Sequence, residues 1–405
     1  MANKKRVVIT GLGIFSPLGV GIGEYWRNLL KNNFPIKKIS LFPIGEFKCK
    51  YAFQIGKFKF NSYFKDLKSD YIPRSTQFLL IAVKTALKDS NLQNKAYYDE
   101  NEIGVFTSSI YGDWSSNEAF YNSTLLKGPD SVNPMAFPPA ICNYPSNYVS
   151  MINNFKGANL TFSSGFQGGL EAINFASSLI KQGYIKTAVV NGLNDLASGH
   201  YLQLSLQKLL YKPDKRKKYR MRIFDNNRDG FILGENSSTI ILESIIEAKK
   251  RKAKMYAEVL GYSANFGKNI DDYTRVITDA IKDSGLRACD IDLCMLNANG
   301  IKSMDSKEIN AVRTVFKDYL NKIDLVAIKE NNGECEGASS IIQTLVGVKA
   351  IHSNIIPPPV YRYDSLNGIS GLKLKNNSKR KRITNVLINS FDLEGNNASL
   401  IVKKV

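Results

Sequence analysis

Side chains able to act as nucleophiles or to carry protons are scarce in this chain of 405 residues. Only two histidines are present, His200 and His352, and the five cysteines are scattered with no CxxC or CxxH pair. This spacing indicates buried free thiols and no zinc site. Ser163 and Ser164 precede a small-residue loop, GFQGG, but no histidine or lysine is near them to serve as the base that a serine nucleophile needs. Cys335, in a second loop, GECEG, is the remaining candidate nucleophile.

The two loops stand among strands and helices that alternate along the chain. Apolar runs predict strands at 6–12, 102–110, 187–190, 258–264, 293–298, 325–329, 383–391 and 398–402. Apolar residues at helical spacing predict helices at 74–92, 169–180, 273–286, 307–316 and 338–352. Each loop opens a helix at a comparable point of its half, which indicates an internally duplicated α/β fold. We predict that the halves cover residues 1–252, with insertions for an interface, and 253–405.

Positive charge dominates the composition, because 55 basic and 36 acidic residues give a net charge of +19. Basic runs at 212–222 and 373–382 either attract an anionic partner or are simply solvated surface. An acidic carrier protein is the favoured partner, since nothing in the sequence resembles a nucleic-acid-binding motif. The residues that we select for this contact are Lys215, Arg216, Lys217, Lys218 and Arg220.

The sequence also lacks the segments that place a protein in a membrane. No apolar run reaches the roughly 18 residues that a membrane helix needs. The first residues, MANKKRVVITGLG, have no apolar region of signal-peptide form. We therefore expect a cytoplasmic protein with no membrane partner.

Three segments, in order along the chain, carry a family resemblance. They are VVITGLGIFSPLG at 7–19, FDNNRDGFILGENSSTIILE at 224–243 and NSFDLEGNNASLIV at 389–402. Together they resemble the β-ketoacyl-ACP synthases of the thiolase superfamily. The resemblance covers nearly the whole chain. It implies an α/β fold of five layers, αβαβα, with two pseudo-duplicated halves, in an obligate dimer.

The resemblance also locates the positions where condensing enzymes carry a cysteine and two histidines. In GFQGGLEAI the cysteine position holds Phe166, which cannot form a thioester. In LNANGIKSMDSKE the first histidine position holds Asn299, whose amide cannot exchange a proton at neutral pH. In KENNGECEGA Lys329 is retained, while Glu334 takes the second histidine position. Leu393 stands where the family's backbone N–H holds the oxyanion. We expect no condensing activity from this chain alone.

Loss of the catalytic groups on a retained scaffold points to a partner subunit. GFQGGLEA is similar to the QAGGLDA-type loop of the chain length factor, or KSβ, of bacterial type II polyketide synthases, although Gln167 falls one position after the cysteine position. That resemblance implies a heterodimer with an active ketosynthase, and an interface tunnel that sets the length of the polyketide intermediate. Our candidates for the tunnel floor are Asp113, Trp114, Ser116 and Phe120. The aromatic members fit an ordinary interface core equally well.

Two other roles stay open. The chain fits a partner subunit of an aryl-polyene or fatty-acid-like synthase, which would share the subunit type and differ in product. It also fits an unusual acyltransferase or decarboxylase that uses a site without cysteine. In each case we expect no metal and no cofactor.

Overall fold

The computed structural model describes residues 6–93, 97–213, 220–358 and 378–405. Its strands are β1 (Val7–Ser16), β2 (Gly19–Val20), β3 (Lys37–Lys38), β4 (Tyr51–Ala52), β5 (Ile103–Ser108), β6 (Asn159–Phe162), β7 (Thr187–Asn194), β8 (Asn236–Ser244), β9 (Ala257–Phe266), β10 (Leu293–Met295), β11 (Asp324–Val326), β12 (Ile355–Ile356), β13 (Lys379–Arg380), β14 (Asn385–Phe391) and β15 (Asn396–Lys403). Its helices are α1 (Gly21–Leu30), α2 (Arg74–Asp89), α3 (Trp114–Lys127), α4 (Tyr144–Asn153), α5 (Gly168–Gln182), α6 (Ser198–Leu206), α7 (Ile245–Lys250), α8 (Ile270–Asp283), α9 (Lys302–Phe316), α10 (Lys329–Asn332) and α11 (Ser339–Ser353).

Two groups of five strands have the same order and the same directions. The first group runs β6-β5-β7-β8-β1 and the second β11-β10-β14-β15-β9. In each group the first three strands are parallel to one another. The fourth strand pairs antiparallel with the third, and the fifth pairs antiparallel with the fourth. The groups meet where Val8 pairs with Glu258 and Ile9 pairs with Ala257. This repetition confirms the predicted duplication of the α/β fold.

Helices form the layers around these strands, and their sequences explain their places. Helix α11 is buried on nearly all sides and packs with α5 between the two strand groups, as expected of a helix that is apolar all round. Helix α8 buries a single stripe, including Tyr273, Ile277 and Ala280, and covers the outer face of β9 and β15. Helix α2 covers β1, β8 and β7 on the other outer face. The predicted five-layered fold is confirmed.

The close packing of β1 on α2 depends on a glycine that the sequence displays. A Cβ atom at Gly13 would overlap the carbonyl oxygen of Ala82 in α2. Only a residue without a side chain lets the helix lie so near the strand. The glycines of the opening VVITGLG therefore serve helix–strand packing.

The predicted elements are present, with shifted ends. Helix α9, for example, begins at Lys302, although the apolar pattern predicts a start at 307. The division at 252/253 stays a prediction, because strands of both groups contribute to one continuous hydrophobic core. Within the described ranges, no helix is long and apolar enough to cross a lipid bilayer.

Candidate functional site

The loops that follow β6, β10, β11 and β14 converge between the two strand groups. Phe166, in the loop between β6 and α5, is 3% exposed, and its ring lies 5.6 Å from the Lys329 Nζ atom at the start of α10. Asn297 and Asn299 follow β10, and Glu334 follows α10. Loops at the carboxyl ends of neighbouring strands are the usual place for a ligand site in α/β folds. Contacts bring Phe166, Asn297 and Glu334 together around Lys329, and Asn299 lies two residues after Asn297 in the same loop.

Lys329 and Glu334 form a buried ion pair at the centre of this site. The Lys329 Nζ atom donates to Glu334 Oε2 at 2.8 Å and to Asn297 Oδ1 at 3.0 Å. Glu334 Oε1 accepts from the Glu336 backbone N–H at 3.0 Å and from the Ser339 hydroxyl at 2.6 Å. Both side chains are at most 2% exposed. Both oxygens of this carboxylate are thus engaged within the protein.

Asn299 is held in a loop that two buried carboxyl groups organise. Glu308 accepts the backbone N–H groups of Asn297 and Ala298, both at 2.8 Å, and Asp305 accepts those of Asn299 and Gly300 at 3.0 and 3.2 Å. Burial raises the pKa of Glu308 to about 7 and that of Asp305 to about 6. The Asn299 amide oxygen accepts the Ile301 N–H at 3.1 Å. This amide therefore stabilises its own loop.

The loop between β14 and β15 is organised by Asp392, which the sequence did not single out. Its Oδ1 atom accepts the backbone N–H groups of Glu394, Gly395 and Asn396 at 2.9, 2.7 and 2.8 Å. Its Oδ2 atom occupies the space where a Cβ of Gly165 would lie, and Gly165 has a φ of 98°. A carboxylate thus captures the N–H groups of this loop and faces the Phe166 turn.

Sequence comparison identifies the family to which this architecture belongs. Residues 4–248 match the profile described as Beta-ketoacyl synthase, N-terminal domain, and residues 256–361 match Beta-ketoacyl synthase, C-terminal domain. The chain belongs to the beta-ketoacyl synthase family. The segment that carries the Lys329–Glu334 pair lies within the second of these matches.

Whole-length relatives agree with this family. The chain is 28% identical to the 3-oxoacyl-acyl-carrier-protein synthase 2 of Coxiella burnetii, with 100% of this chain and 99% of the relative covered. It is also 28% identical to the synthase of that name from Rhizobium meliloti, with 99% of each covered. Among solved structures, the ishigamide ketosynthase/chain length factor has a TM-score of 0.91 at 24% identity, covering 99% of this chain and 100% of the other. A beta-ketoacyl synthase from Burkholderia phymatum also has a TM-score of 0.91, at 21% identity and with the same coverage. These structures share the fold.

In this ketosynthase fold, Leu393 is half-buried and packs against the core of the second half. The assignment of its backbone N–H to an oxyanion stays a prediction. The same loop carries the Asp392 carboxylate directly before this position. A carboxylate there opposes the build-up of oxyanion charge.

The candidate alternative nucleophiles are each engaged within the protein. The Ser163 hydroxyl donates to the Ser109 carbonyl oxygen at 3.1 Å, and the Ser164 hydroxyl donates to the Glu171 carboxylate. Neither hydroxyl is hydrogen-bonded to an imidazole or an amine in the part of the chain that the structure describes. Cys335 is fully buried, and this burial raises the pKa of its thiol well above the usual range. These contacts disfavour an acyltransferase built on Ser163, Ser164 or Cys335.

The residues proposed for a tunnel floor lie at the start of α3. Asp113 is buried and caps the helix, accepting the Ser116 N–H at 2.7 Å and the hydroxyl of Ser75 in α2. Trp114 begins the helix, and Phe120 packs on neighbouring aromatic rings. Asp113 is therefore occupied in joining two helices. The tunnel role of all four residues stays a prediction.

Of the basic residues proposed to contact a carrier protein, Arg220 alone lies within the described residues. Lys215, Arg216, Lys217 and Lys218 lie outside the described residues. The Arg220 guanidinium is engaged within the chain, because it donates to the buried Glu330 carboxylate at 3.2 Å and lies 4.2 Å from the centre of the Phe34 ring. Its selection for carrier contact stays a prediction.

Sequence reasoning gave no role to His200, yet the structure places it close to this site. Its Nε2 atom lies 3.1 Å from Oε1 of Glu336, two residues after Glu334, and both side chains are buried. The two residues are far apart in the chain, and no spacing links them. The sequence signal that could have indicated this pair is Glu336, an acidic residue in the small-residue loop GECEG.

Proposed function

We propose that this chain is a non-condensing partner subunit that associates with an active ketosynthase and shapes the cavity that holds the growing polyketide chain. One observation carries the proposal. Phe166 fills the nucleophile position, and beside it the Lys329–Glu334 pair replaces a proton-transfer group with a closed, fully bonded network. The surrounding fold is retained over the whole chain. A fold that is retained without the residues for condensation suits a subunit that shapes the cavity for the growing chain.

Two structural neighbours support this kind of assembly. One is the ishigamide ketosynthase/chain length factor. Another, with a TM-score of 0.87 and 22% identity, is a type II PKS acyl-carrier protein in complex with its ketosynthase bound to the hexaketide. From these neighbours we propose a ketosynthase partner, an acyl carrier protein and a polyketide intermediate, and we keep the cytoplasmic location that the sequence led us to expect.

An exposed apolar surface on α3 and the segment after it offers a place for the partner. Leu125 and Leu126 are 80% and 83% exposed, and Tyr121, Met135 and Phe137 are also exposed. Contiguous apolar surface of this kind marks sites of protein association. We assign it to the ketosynthase interface, next to the predicted tunnel residues.

Co-expression with an active ketosynthase from the same organism tests the proposal. We expect a stable 1:1 complex by size-exclusion chromatography with light scattering. Leu125→Asp/Leu126→Asp should abolish that complex, whereas Tyr184→Asp, which changes a tyrosine that is 73% exposed on the surface after α5, should leave it intact. A homodimer that does not bind the ketosynthase would refute the proposal. Elongation of malonyl-carrier substrates by this chain alone would also refute it.

Product length then tests the tunnel. Ser116→Trp enlarges a half-buried residue at the start of α3 and should shorten the products of the complex. Unchanged product length in a complex of normal yield would remove Ser116 from the tunnel.

A second candidate is a partner subunit of a fatty-acid-like or aryl-polyene synthase. The observation that favours it is the name of the full-length relatives, 3-oxoacyl-acyl-carrier-protein synthase 2. The two candidates predict different products from the reconstituted complex. Oxygen-rich polyketide chains support the first, and reduced or polyene chains support the second.

A further inference from the structure

A buried polar cluster lies beside the inactive site and takes no part in it. We call it the His200 cluster, and it consists of Tyr111, Trp114, His200 and Glu336. The Tyr111 ring lies 4.2 Å from that of Trp114 and 4.9 Å from that of His200, and the Trp114 and His200 rings are 5.5 Å apart. His200 and Glu336 are 1% and 2% exposed. Aromatic faces thus enclose a histidine–carboxylate pair.

The cluster is incompletely hydrogen-bonded. Trp114 Nε1, His200 Nε2 and Glu336 Oε2 are buried, and none has a hydrogen-bond partner within the described residues. Although His200 Nε2 lies 3.1 Å from Glu336 Oε1, the two are not aligned for a hydrogen bond. A buried polar atom without a partner is costly, and native proteins contain few of them. Donors and acceptors gathered in one place therefore indicate a polar ligand.

The backbone connects this cluster to the inactive site. Glu334, which pairs with Lys329, accepts the Glu336 N–H at 3.0 Å. Glu336 itself has a φ of 44°, which a residue with a side chain rarely adopts. Strain of this kind persists where the structure holds a side chain in a particular direction. The Glu336 carboxylate is thus turned from the Lys329–Glu334 pair towards His200.

We propose that the His200 cluster is a subsite for an oxygen-bearing carbon of an acyl chain, so that the cavity selects β-keto or β-hydroxy chains over reduced ones. This inference rests on the proposed function. The aromatic rings of Tyr111 and Trp114 contact the carbon chain. The Trp114 N–H donates to a keto oxygen, and Glu336 accepts from a hydroxyl or enol. A saturated or polyene chain would leave these groups unpaired, and such sites discriminate strongly against the analogue that lacks the oxygen.

Calorimetric titration of the complex with two non-hydrolysable probes tests the subsite. The probes are the pantetheine amides of 3-hydroxyoctanoic and octanoic acid. We expect the hydroxy probe, whose hydroxyl can donate to Glu336, to bind at least about tenfold more tightly, which corresponds to about one well-formed hydrogen bond. His200→Leu/Glu336→Leu should abolish this preference and leave octanoyl binding equal or tighter. Glu336→Gln, which retains an acceptor, should keep part of it.

His352→Leu is the matched control, because it removes the other histidine, at the end of α11, where it contacts Tyr256. It should leave the preference unchanged. Equal binding of the two probes, binding of neither, or a preference that survives the double substitution would overturn the subsite and leave only bound water to satisfy the cluster. Complex formation is measured on the same samples. A normal complex without the preference refutes the subsite alone, whereas failure to form a complex in the wild type refutes the proposed function.

Discussion

Lys329 and Glu334 are charged groups that fold into a space closed to water. Their attraction compensates for the lost hydration only while both are present, since a buried charge without its partner is strongly unfavourable. This ion pair therefore contributes to the stability of the site as long as it is intact.

Breaking this pair should be costly. We expect Lys329→Met to lower the free energy of unfolding by about 3–5 kcal/mol, because Glu334 is left buried without its partner. Lys329→Met/Glu334→Leu should cost clearly less. Lys212→Ala, which breaks an ion pair whose two side chains are 49% and 47% exposed, should change stability by under about 1 kcal/mol. Urea denaturation measures all three, and equal losses for the buried and exposed pairs would contradict this account.

A cysteine at position 166 should not restore catalysis. Phe166→Cys puts a thiol at the start of α5, where a helix N-terminus favours the thiolate. Asn299 and Glu334 still cannot polarise and protonate a malonyl substrate, so elongation should stay at background. Iodoacetamide labelling verifies that the thiol is accessible, and a radiolabelled malonyl-carrier assay measures elongation. Activity of the single variant would show that another group supplies the proton transfer.

At the scale of elements, α9 fixes the Asn299 loop through the carboxyl groups of Asp305 and Glu308. Both have a raised pKa, so the folded chain holds their protons at a higher pH than the unfolded chain does. A raised carboxyl pKa lowers stability above the folded value, and this loss disappears as the pH falls towards the unfolded value. The folded chain should therefore be more stable in mildly acidic solution.

The pH dependence of stability tests this anchor. With a pKa of about 7 in place of 4.5, Glu308 should make the wild type gain stability as the pH falls from 8 to 5. Glu308→Gln carries no titratable group there, so its stability should rise less over the same range. Thermal unfolding across this range measures the difference. Parallel curves for the two proteins would mean that Glu308 titrates normally.

Periodicity predicted about half of the strands and helices and could not predict the contacts between them. The start of α9 was missed because Lys302 and Ser306 are polar and give no apolar stripe there. Phe166, Asn299 and Glu334 could be placed because motifs surround them. Asp392 holds the loop after β14 through N–H groups two to four residues later, but its approach to Gly165, like the approach of Glu336 to His200, is a tertiary contact with a distant residue. Local sequence contains no trace of such contacts.

At the scale of the whole molecule, a net charge of +19 should draw this subunit towards acidic partners. Raising the salt from 0.1 to 0.5 M should weaken carrier-protein binding by roughly tenfold, because salt screens exposed charges. Replacing Lys215, Arg216, Lys217 and Lys218 by alanine should weaken binding at low salt and flatten the salt dependence. Lys249→Ala/Lys250→Ala, on the exposed end of α7, is the control. Fluorescence anisotropy of a labelled carrier measures each affinity, and salt-insensitive binding would exclude this contact.

The buried ion pair also bears on the evolutionary history of the chain. If the chain is non-condensing, as we propose, a gain of condensing chemistry needs new residues at 166, 299 and 334, and we expect no one of them alone to give activity on which selection could act. A histidine at 334 would first deprive the Lys329 ammonium of its carboxylate, so that the intermediate would be less stable and still inactive. This loss of stability is a barrier to reversal in a lineage that carries Glu334. Further divergence of the cavity is therefore the evolutionary change that costs less stability.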